Sequence, residues 1–518
     1  VFWNKKMEGK LESQLEQTSY VYRSSDTPSD CESLTKPLNK KSNNENERMN
    51  DNDIHYEDIL SDIGIVPYHT WLIIKCGISN AADSVEIMAI SFVISNAKDD
   101  LKMTDFDEGV LSAVIFVGMM LGGWIWGSLS DQKQLGRKNV LTYSLLLNGI
   151  MGLLSAVAVN FPMLLILRFF SGIGVGGSIP VTFTYASEFI PKEKRGLFLG
   201  FIAISWAFAA TLTSLFALAI IPNIETSIES WRIFLIPCSI PAFVGSFIFW
   251  KYVDKSPKFM LYTQKDINGC IKVLSKMGKQ NPEFDASKLN QVSPFNNDFS
   301  INFPIKRENS SKMEMICSKI KMVWVKTKIL FSKQHARAHI LCISVWFFLS
   351  YGFYGLNEWM PTYFKNIKTV DEFTSTLITS AAQFPGAILS CYLLEYYLDR
   401  RTTLGLSIGL SALCLIAVPF LTTGWQIVGT LSVFNGINVM AWTALDVVSS
   451  ELSPTFCRST AFGLFTAFGR IGAICGNLSF GIFGEDSLSL PLLISGIMLC
   501  IGTVACLLLP QTKGKEID

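Results

Sequence analysis

The sequence predicts an all-α membrane protein with twelve transmembrane helices in two pseudo-symmetric bundles of six. Its 518 residues are 49% hydrophobic and 17% charged, whereas a soluble domain carries roughly 25% charged residues. Twelve apolar runs are long enough to cross a bilayer, which takes about 20 residues. In addition, the phrase SEFIPKEKRGLFLG, which begins at residue 187, returns as SELSPTFCRSTAFG at residue 450. Long apolar runs with an internal repeat indicate two related helical bundles.

The repeated phrase fixes the register of the two halves. Five of its residues recur with one displacement of 263 positions: Ser187, Glu188, Pro191, Arg195 and Gly200 return as Ser450, Glu451, Pro454, Arg458 and Gly463. Matches in one register indicate that one half of the chain is a copy of the other.

The apolar runs divide the chain into five regions. A polar, Ser/Asn/Asp/Glu-rich stretch at 1–68 cannot build a core and is predicted to be a disordered tail. The predicted regions after it are a first bundle at 69–250, a central loop at 251–337, a second bundle at 338–510 and a tail at 511–518. The predicted spans are 71–94, 109–129, 139–159, 162–186, 197–221, 231–250, 338–360, 373–394, 403–422, 426–449, 460–483 and 488–509.

The charges of the loops predict the orientation. Lys and Arg lie in the loops after spans 2, 4, 8 and 10, whereas the loops after spans 1, 5 and 11 are acidic or nearly uncharged. Because cytoplasmic loops carry an excess of Lys and Arg, we expect both termini and the central loop to be cytoplasmic.

Two acids lie near the middle of the first span. Asp83 and Glu86 are three residues apart, so they share one face of a helix. Each costs about 2.5–3.5 kcal/mol at a helix centre, so we expect both to face the protein interior and to have partners. Arg168 in span 4 and Arg470 in span 11 are available cations. The alternative is a static ion pair that only holds helices together.

The loop after span 2 resembles a known signature. Gly127, Asp131, Gly136 and Arg137 match the loop pattern of the major facilitator superfamily, with two extra residues before Gly136. Within that superfamily, the stretches SGIGVGGSIPVTFTYASEF and AWTALDVVSSELSP resemble the synaptic vesicle glycoprotein 2 family. The resemblance runs from about residue 62 to 514, but the link at 361–372 is too short for that family's large luminal domain.

The resemblance implies roles for particular residues. By similarity to the sugar porters of the superfamily, Asp83 takes up a coupled proton and exchanges partners with Arg168, and we include Glu86 in this coupling group. By similarity to the glycoprotein 2 family, Trp206, Trp442 and Asp446 line a central pocket. The remaining residues predicted to bind substrate are Phe353, Tyr354 and Arg470.

The repeated acids and arginines predict a gate on the cytoplasmic side, because they can form ion pairs that hold while that side is closed. The predicted gate consists of Asp131, Arg137, Glu188, Arg195, Glu395, Glu451 and Arg458. The alternative is that these charges only orient the spans, which is the preferred interpretation for Arg400 and Arg401.

These observations favour a secondary active transporter of a small organic solute, either sugar-like or an organic cation, in a vesicle or plasma membrane. We expect it to work by alternating access and to couple transport to protons. The alternative is a vesicle-membrane adaptor with little transport, in which Tyr56 and Ile59 form a sorting signal for trafficking proteins. The expected partners are therefore a small-molecule substrate, the lipid bilayer and such trafficking proteins. The net charge of +1 does not indicate a basic surface that would bind nucleic acid.

No enzyme, cofactor or metal site is predicted. Gly172, Gly174 and Gly177 fit a G-x-G-x-x-G pattern, but they lie within an apolar run with no strand before them. A dinucleotide site requires that strand, whereas small residues allow membrane helices to approach closely. The glycines are therefore interpreted as packing residues.

Overall fold

The chain folds into α-helices that lie in two sets of six. The structure, a computed structural model, describes residues 56–191, 194–223, 229–291, 327–328, 330–332, 335–367, 370–396, 399–453, 458–483 and 489–511. The first 55 residues, residues 292–326 of the central loop and residues 512–518 therefore lie outside the described residues.

The helices correspond one to one to the predicted spans. The first half contains α1 Pro67–Leu101, α2 Asp105–Ser130, α3 Gly136–Ser155, α4 Phe161–Ser187, α5 Arg195–Ile220 and α6 Ser230–Tyr252. The second half contains α7 Ala336–Ile367, α8 in two segments, Glu372–Ala381 and Gln383–Tyr396, α9 Arg400–Ala417, α10 Gly424–Glu451, α11 Arg458–Phe483 and α12 Ser489–Leu507. Shorter elements are an N-terminal helix, Tyr56–Ile63, a turn at Pro257–Gln264, a helix at Ile267–Gly278, and 3-10 turns at Ala286–Gln291 and Val418–Phe420.

Ten of the described helices are long and apolar enough to cross a membrane. The two others among the twelve are α3 and α8. The 20 residues of α3 include Arg137, Lys138 and Asn148, which lower its mean hydropathy. The two segments of α8 have 10 and 14 residues, so each is shorter than a bilayer-spanning helix.

Local sequence signals set several helix boundaries. The side chain of Thr104 accepts from the Asp107 amide and begins α2, and Asn160 caps α4 in the same way through the Met163 amide. At the start of α3, Gly136 has φ +69°, and a Cβ atom there would lie 2.7 Å from the Phe259 ring. Only glycine fits this turn, which explains the glycine of the loop signature.

The pattern of helix contacts repeats from one half to the other. In the first half α1 contacts α5 and α6, α2 contacts α4, and α3 contacts α4 and α6. Six helices later, α7 contacts α11 and α12, α8 contacts α10, and α9 contacts α10 and α12. The internal sequence repeat therefore corresponds to a repeat in structure.

Glycines allow α4 to pack directly on its neighbours. A Cβ atom on Gly172 would lie 2.3 Å from the Ile115 carbonyl oxygen of α2, and one on Gly174 would lie 2.8 Å from the Asn148 amide of α3. A Cβ atom on Gly177 would meet the Trp126 ring at 2.2 Å. These approaches give the glycine pattern the packing role expected from the sequence.

Several contacts between the halves lie at one end of the bundle. We call the end where α2, α4, α8 and α10 terminate the basic face, and the other end the opposite face. At the opposite face Ser214 and Ser380 are hydrogen-bonded at 3.0 Å, and the Lys365 ammonium donates to the Ser95 carbonyl at 2.9 Å. Gly109 of α2 and Gly481 of α11 also meet there, since a Cβ atom on Gly481 would lie 2.8 Å from the Gly109 Cα. The halves are thus joined at the opposite face.

The N-terminal helix is part of the folded structure. Its residues Tyr56, Ile59, Leu60 and Ile63 are buried, and the Asn281 side chain donates to the Ile63 carbonyl at 3.0 Å. The prediction of a disordered tail over 1–68 is therefore wrong for the helix Tyr56–Ile63. An apolar stripe in YEDILSDI, spaced as one helical face, allows this docking.

Candidate functional site

Glu86 of α1 and Arg168 of α4 form an ion pair in the interior of the first half. Both side chains are buried. The Ser171 hydroxyl lies 2.5 Å from Glu86 Oε1 and 3.1 Å from the Asn148 side-chain oxygen of α3. A buried charge is tolerated when it is paired and hydrogen-bonded, so this cluster joins α1, α3 and α4 without an uncompensated charge.

Asp83 lies on the same helix but has a different partner. It is fully buried, and the Ser178 hydroxyl of α4 donates a 2.6 Å hydrogen bond to its Oδ1. Its Oδ2 has no hydrogen-bond partner among the described residues. Asp83 is therefore the less satisfied of the two buried acids of α1.

The pairing differs from the one that the sequence comparison implied, in which Arg168 was the partner of Asp83. Because α1 and α4 run in opposite directions, Arg168, near the start of α4, lies at the level of Glu86 rather than Asp83. Ser178 is ten residues further along α4 and meets Asp83. Spacing along one helix could not show which acid faces the arginine.

Aromatic rings from the second half surround Trp442. Its ring centroid lies 5.6 Å from that of Trp346, 5.9 Å from Phe353 and 5.6 Å from Tyr354. The indole nitrogen of Trp442 has no hydrogen-bond partner among the described residues. The predicted substrate residues Phe353, Tyr354 and Trp442 are thus in one aromatic cluster, with one unused donor.

Arg470 connects this cluster to the first half. Its guanidinium carbon lies 5.7 Å from the Tyr354 ring and 5.9 Å from the ring of Phe116, which belongs to α2. Its charge also acts on both Asp83 and Asp446. Arg470 is therefore the cation that both halves share.

Asp446 follows Trp442 by one turn of α10, so both point to the same side of the helix. Its side chain is exposed although protein surrounds it. This combination is typical of the wall of a water-accessible cavity. Trp206 of α5 is half-buried and packs against the same hydrophobic cluster as Trp442, and the Ser84 hydroxyl donates to its carbonyl at 3.0 Å.

A comparison with known protein families identifies the fold. The model of the Major Facilitator Superfamily matches residues 76–424 and 376–517, which together cover most of the chain. The chain belongs to the major facilitator superfamily. It is thus a multi-pass membrane protein of a transporter family, not of an enzyme family.

The chain is distantly related to synaptic vesicle glycoproteins. It is 26% identical to synaptic vesicle glycoprotein 2C of Mus musculus, over 89% of this chain and 81% of that protein. It is 25% identical to synaptic vesicle glycoprotein 2B of Homo sapiens, over 89% of this chain and 86% of that protein.

Solved structures of a bacterial transporter have the same fold. The partially occluded inward-open xylose transporter XylE of E. coli matches with a TM-score of 0.68 and 17% identity, over 86% of this chain and 99% of that chain. The proton:xylose symporter XylE bound to 6-bromo-6-deoxy-D-glucose matches with a TM-score of 0.64 and 17% identity, over 87% of this chain and 98% of that chain. At 17% identity, this similarity shows a shared fold alone.

At the basic face, the superfamily signature residue Arg137 forms an ion pair with Glu188 at the end of α4. Arg137 also lies 4.0 Å from Asp131, whose side chain is 72% exposed. Three predicted gate residues are therefore in one cluster, with Glu188 as the main partner of the arginine.

The second half has the corresponding pair, Arg400 and Glu451, with Nε and Oε1 3.5 Å apart. Both residues lie 263 positions after Arg137 and Glu188. The sequence interpretation of Arg400 as a charge that only orients the spans missed this pair. The displacement of the repeat is the signal that could have found it.

The remaining gate residues are placed differently. Arg195 lies 3.2 Å from Glu57 of the N-terminal helix, so in this structure its partner is not one of the predicted gate acids. Glu57 also pairs with Lys258 at 3.1 Å. Glu395 and Arg458 lie in α8 and α11, but their side chains are outside the described part of the chain.

The residues of the predicted sorting signal are not accessible. Tyr56 and Ile59 are 1% and 0% exposed, and the Tyr56 hydroxyl donates to the Glu188 carbonyl. Burial raises the pKa of Tyr56 well above its usual value, which keeps the hydroxyl protonated as a donor. An adaptor protein could read this signal only after the N-terminal helix detaches.

Proposed function

We propose that the chain is a secondary active transporter of a small organic solute, which works by alternating access and couples transport to protons at Asp83. One observation supports this proposal most directly. Asp83 is a fully buried carboxylate with an unpartnered oxygen, in a helix that faces the other half of a transporter fold. Ionisable groups at this depth in a membrane protein are functional by default.

The surroundings of Asp83 suit reversible protonation. An ionised carboxylate needs a compensating charge or water in a low-dielectric interior, and the paired Arg168 is already engaged by Glu86. The neutral form of Asp83 is stable while it is sealed, with Ser178 as its partner. Access to water, or approach of Arg470, favours the ionised form. Movement of the halves would thus be linked to proton binding and release.

The charge distribution supports a cytoplasmic basic face. Lys133, Arg137 and Lys138 follow α2, and Arg400 and Arg401 follow α8, as the positive-inside rule requires. The contacts between Ser214 and Ser380 and between Lys365 and Ser95 are on the other side. Together with the exposed Asp446, they support a conformation that is closed on the outer side and open to the cytoplasm.

The aromatic cluster and its charges suit a substrate with hydroxyl or cationic groups. Ring faces bind sugars by stacking and organic cations by cation–π contact. Asp446 and Arg470 could both hydrogen-bond to a polyol, whereas a cation would be attracted only by Asp446. We therefore propose a sugar-like substrate first and an organic cation second. The XylE symporter, which has the same fold, is bound to a sugar analogue.

Uptake by the full-length protein in proteoliposomes tests this function. A panel of sugars, organic cations and organic anions would be offered with and without an inward proton gradient. We expect saturable uptake of one class, increased by the gradient and lost in Trp442→Ala. Uptake equal to that of empty liposomes across the whole panel would contradict the proposal.

A second candidate is a trafficking role in a vesicle membrane. It is supported by the similarity to synaptic vesicle glycoproteins 2B and 2C and by the docked N-terminal helix, which could expose Tyr56 and Ile59 on release. Tyr56→Ala should then leave the protein at the cell surface. Unchanged vesicle targeting of that variant would dismiss the signal.

A further inference from the structure

Glu358 of α7 is an acid without a partner deep in the second half. Its side chain is 0% exposed, and neither carboxyl oxygen has a hydrogen-bond partner among the described residues. No ion pair to it is formed by a described residue either. In this respect Glu358 differs from Asp83 and Glu86, each of which has at least one polar partner.

The neighbours of Glu358 along α7 place it in the contact between the halves. Tyr354, one turn before it, packs on Phe116 of α2 with the ring centroids 4.8 Å apart. Lys365, two turns after it, donates to the Ser95 carbonyl of α1. Residues at these spacings share one helical face, so Glu358 faces the first half.

Glu358 also lies toward the opposite face of the bundle. It is nine residues before α7 ends at Ile367, which places it about 10 Å beyond the helix midpoint at 1.5 Å per residue. This is the side on which the halves are joined in the structure. The surroundings of Glu358 must therefore change when that side opens.

The charged groups described on the helices packed against α7 either have other partners or are acids themselves. On α1, Lys98 pairs with Asp105 and Glu108 of α2, Glu86 with Arg168, and Asp83 with Ser178. On α11, Arg470 lies against Tyr354; α8 carries Glu372 at its start, α10 carries Asp446, and α12 has no charged residue. None of these groups offers Glu358 a compensating charge in the closed arrangement.

We propose that Glu358 is a proton-binding gate, neutral while the opposite face is closed and ionised when the halves separate there. A buried charge without a partner is strongly destabilising, so closure requires the carboxyl to carry its proton. On opening, the O–H bond breaks and the proton passes to water on the opposite side; on closing, the carboxylate takes a proton from the same side.

The proposed gate rests on the proposed alternating access, but it differs from proton coupling at Asp83. Because Glu358 exchanges its proton with one side only, it carries no proton across the membrane. It makes opening depend on the pH of that side. Acid stabilises the closed face, and this stabilisation is lost as the pH rises, because the closed state binds the proton more tightly than the open state.

A distance measurement across the opposite face tests the gate without any substrate. Spin labels would be placed on Asp99→Cys and Asn366→Cys, whose native side chains are exposed, in the full-length protein with its 12 native cysteines replaced. In lipid nanodiscs, we expect the ratio of the open to the closed population to rise as the pH increases above about 4.3, the ordinary pKa of Glu, by up to about tenfold per pH unit for one proton.

Two variants decide the role of Glu358. Glu358→Gln should weaken the pH dependence of the ratio, whereas Glu358→Asp should keep it and confirm that the fold tolerates a change at this position. Asp83→Asn should keep the part of the dependence that Glu358 contributes. Equal pH dependence in Glu358→Gln, or no dependence with Glu358 present, would overturn the gate. Because no transport is measured, failure of the gate and failure of the proposed transport are separate results.

Discussion

The two halves of the molecule differ in how their buried charged side chains are compensated. In the first half, Glu86 and Arg168 neutralise each other inside a cluster with Ser171. In the second half, Arg470 lies against aromatic rings and Glu358 has no partner among the described residues. In the first half the buried arginine is paired with an acid, whereas in the second half neither Arg470 nor Glu358 has an ion-pair partner among the described residues.

At the basic face the halves are alike. Arg137 and Glu188 in the first half correspond to Arg400 and Glu451 in the second, with the same displacement of 263. The internal repeat is thus retained in the ion pairs of the basic face. It is lost in the interior, where one half would couple protons and the other would bind substrate.

Arg168→Leu should have the largest effect on stability. It leaves Glu86 as an uncompensated buried charge, which costs about 3–5 kcal/mol. Thermal unfolding of the detergent-solubilised protein would measure it. The matched variant in the second half, Arg470→Leu, removes a half-exposed cation–π contact worth about 0.5–2 kcal/mol. Equal losses in the two variants would contradict the difference between the halves.

Glu188→Gln should cost more than Glu451→Gln. Glu188 is 8% exposed and Glu451 is 33% exposed. A hydrogen bond to a charged group that is largely buried contributes about 1.5–3 kcal/mol, whereas an exposed ion pair contributes about 0.2–1 kcal/mol. The same unfolding measurement in the two variants compares them, and a larger loss in Glu451→Gln would reverse the ranking.

Tyr56→Phe should have a smaller effect than Arg168→Leu or Glu188→Gln. It removes the hydroxyl that donates to the Glu188 carbonyl and keeps the buried ring, so we expect a loss of about 1 kcal/mol. Limited proteolysis would detect earlier release of the N-terminal helix. The control Tyr68→Phe removes a hydroxyl that bonds Asp254 at 3.0 Å and should not release that helix faster. Equal cleavage rates in wild type and Tyr56→Phe would show that the hydroxyl does not hold it.

The sequence predicted the fold because span length and the repeat are properties of the chain itself. About 20 apolar residues define a span in any context, and five matches in one register reveal a duplicated bundle. The break in α8 at Ala382 and the docked N-terminal helix were not predicted, because both depend on packing against other helices.

The sequence was less informative about which side chains of the candidate site contact one another. Asp83 and Glu86 share one face of α1. Which of them contacts Arg168 depends on how far α1 and α4 are offset along their axes. Glu358 lies in the run GLNEWMPTYF near the end of a span, where an acid is easily assigned to the boundary with water. Only the burial of both of its oxygens shows that it lies inside the protein.

The most direct test is transport by Asp83→Asn in proteoliposomes, measured both as accumulation driven by a proton gradient and as exchange of labelled for unlabelled substrate. If Asp83 couples transport to protons, the variant loses accumulation and keeps exchange, and Asp446→Asn changes the apparent KM while keeping accumulation. Accumulation by Asp83→Asn at the wild-type level would contradict proton coupling at Asp83.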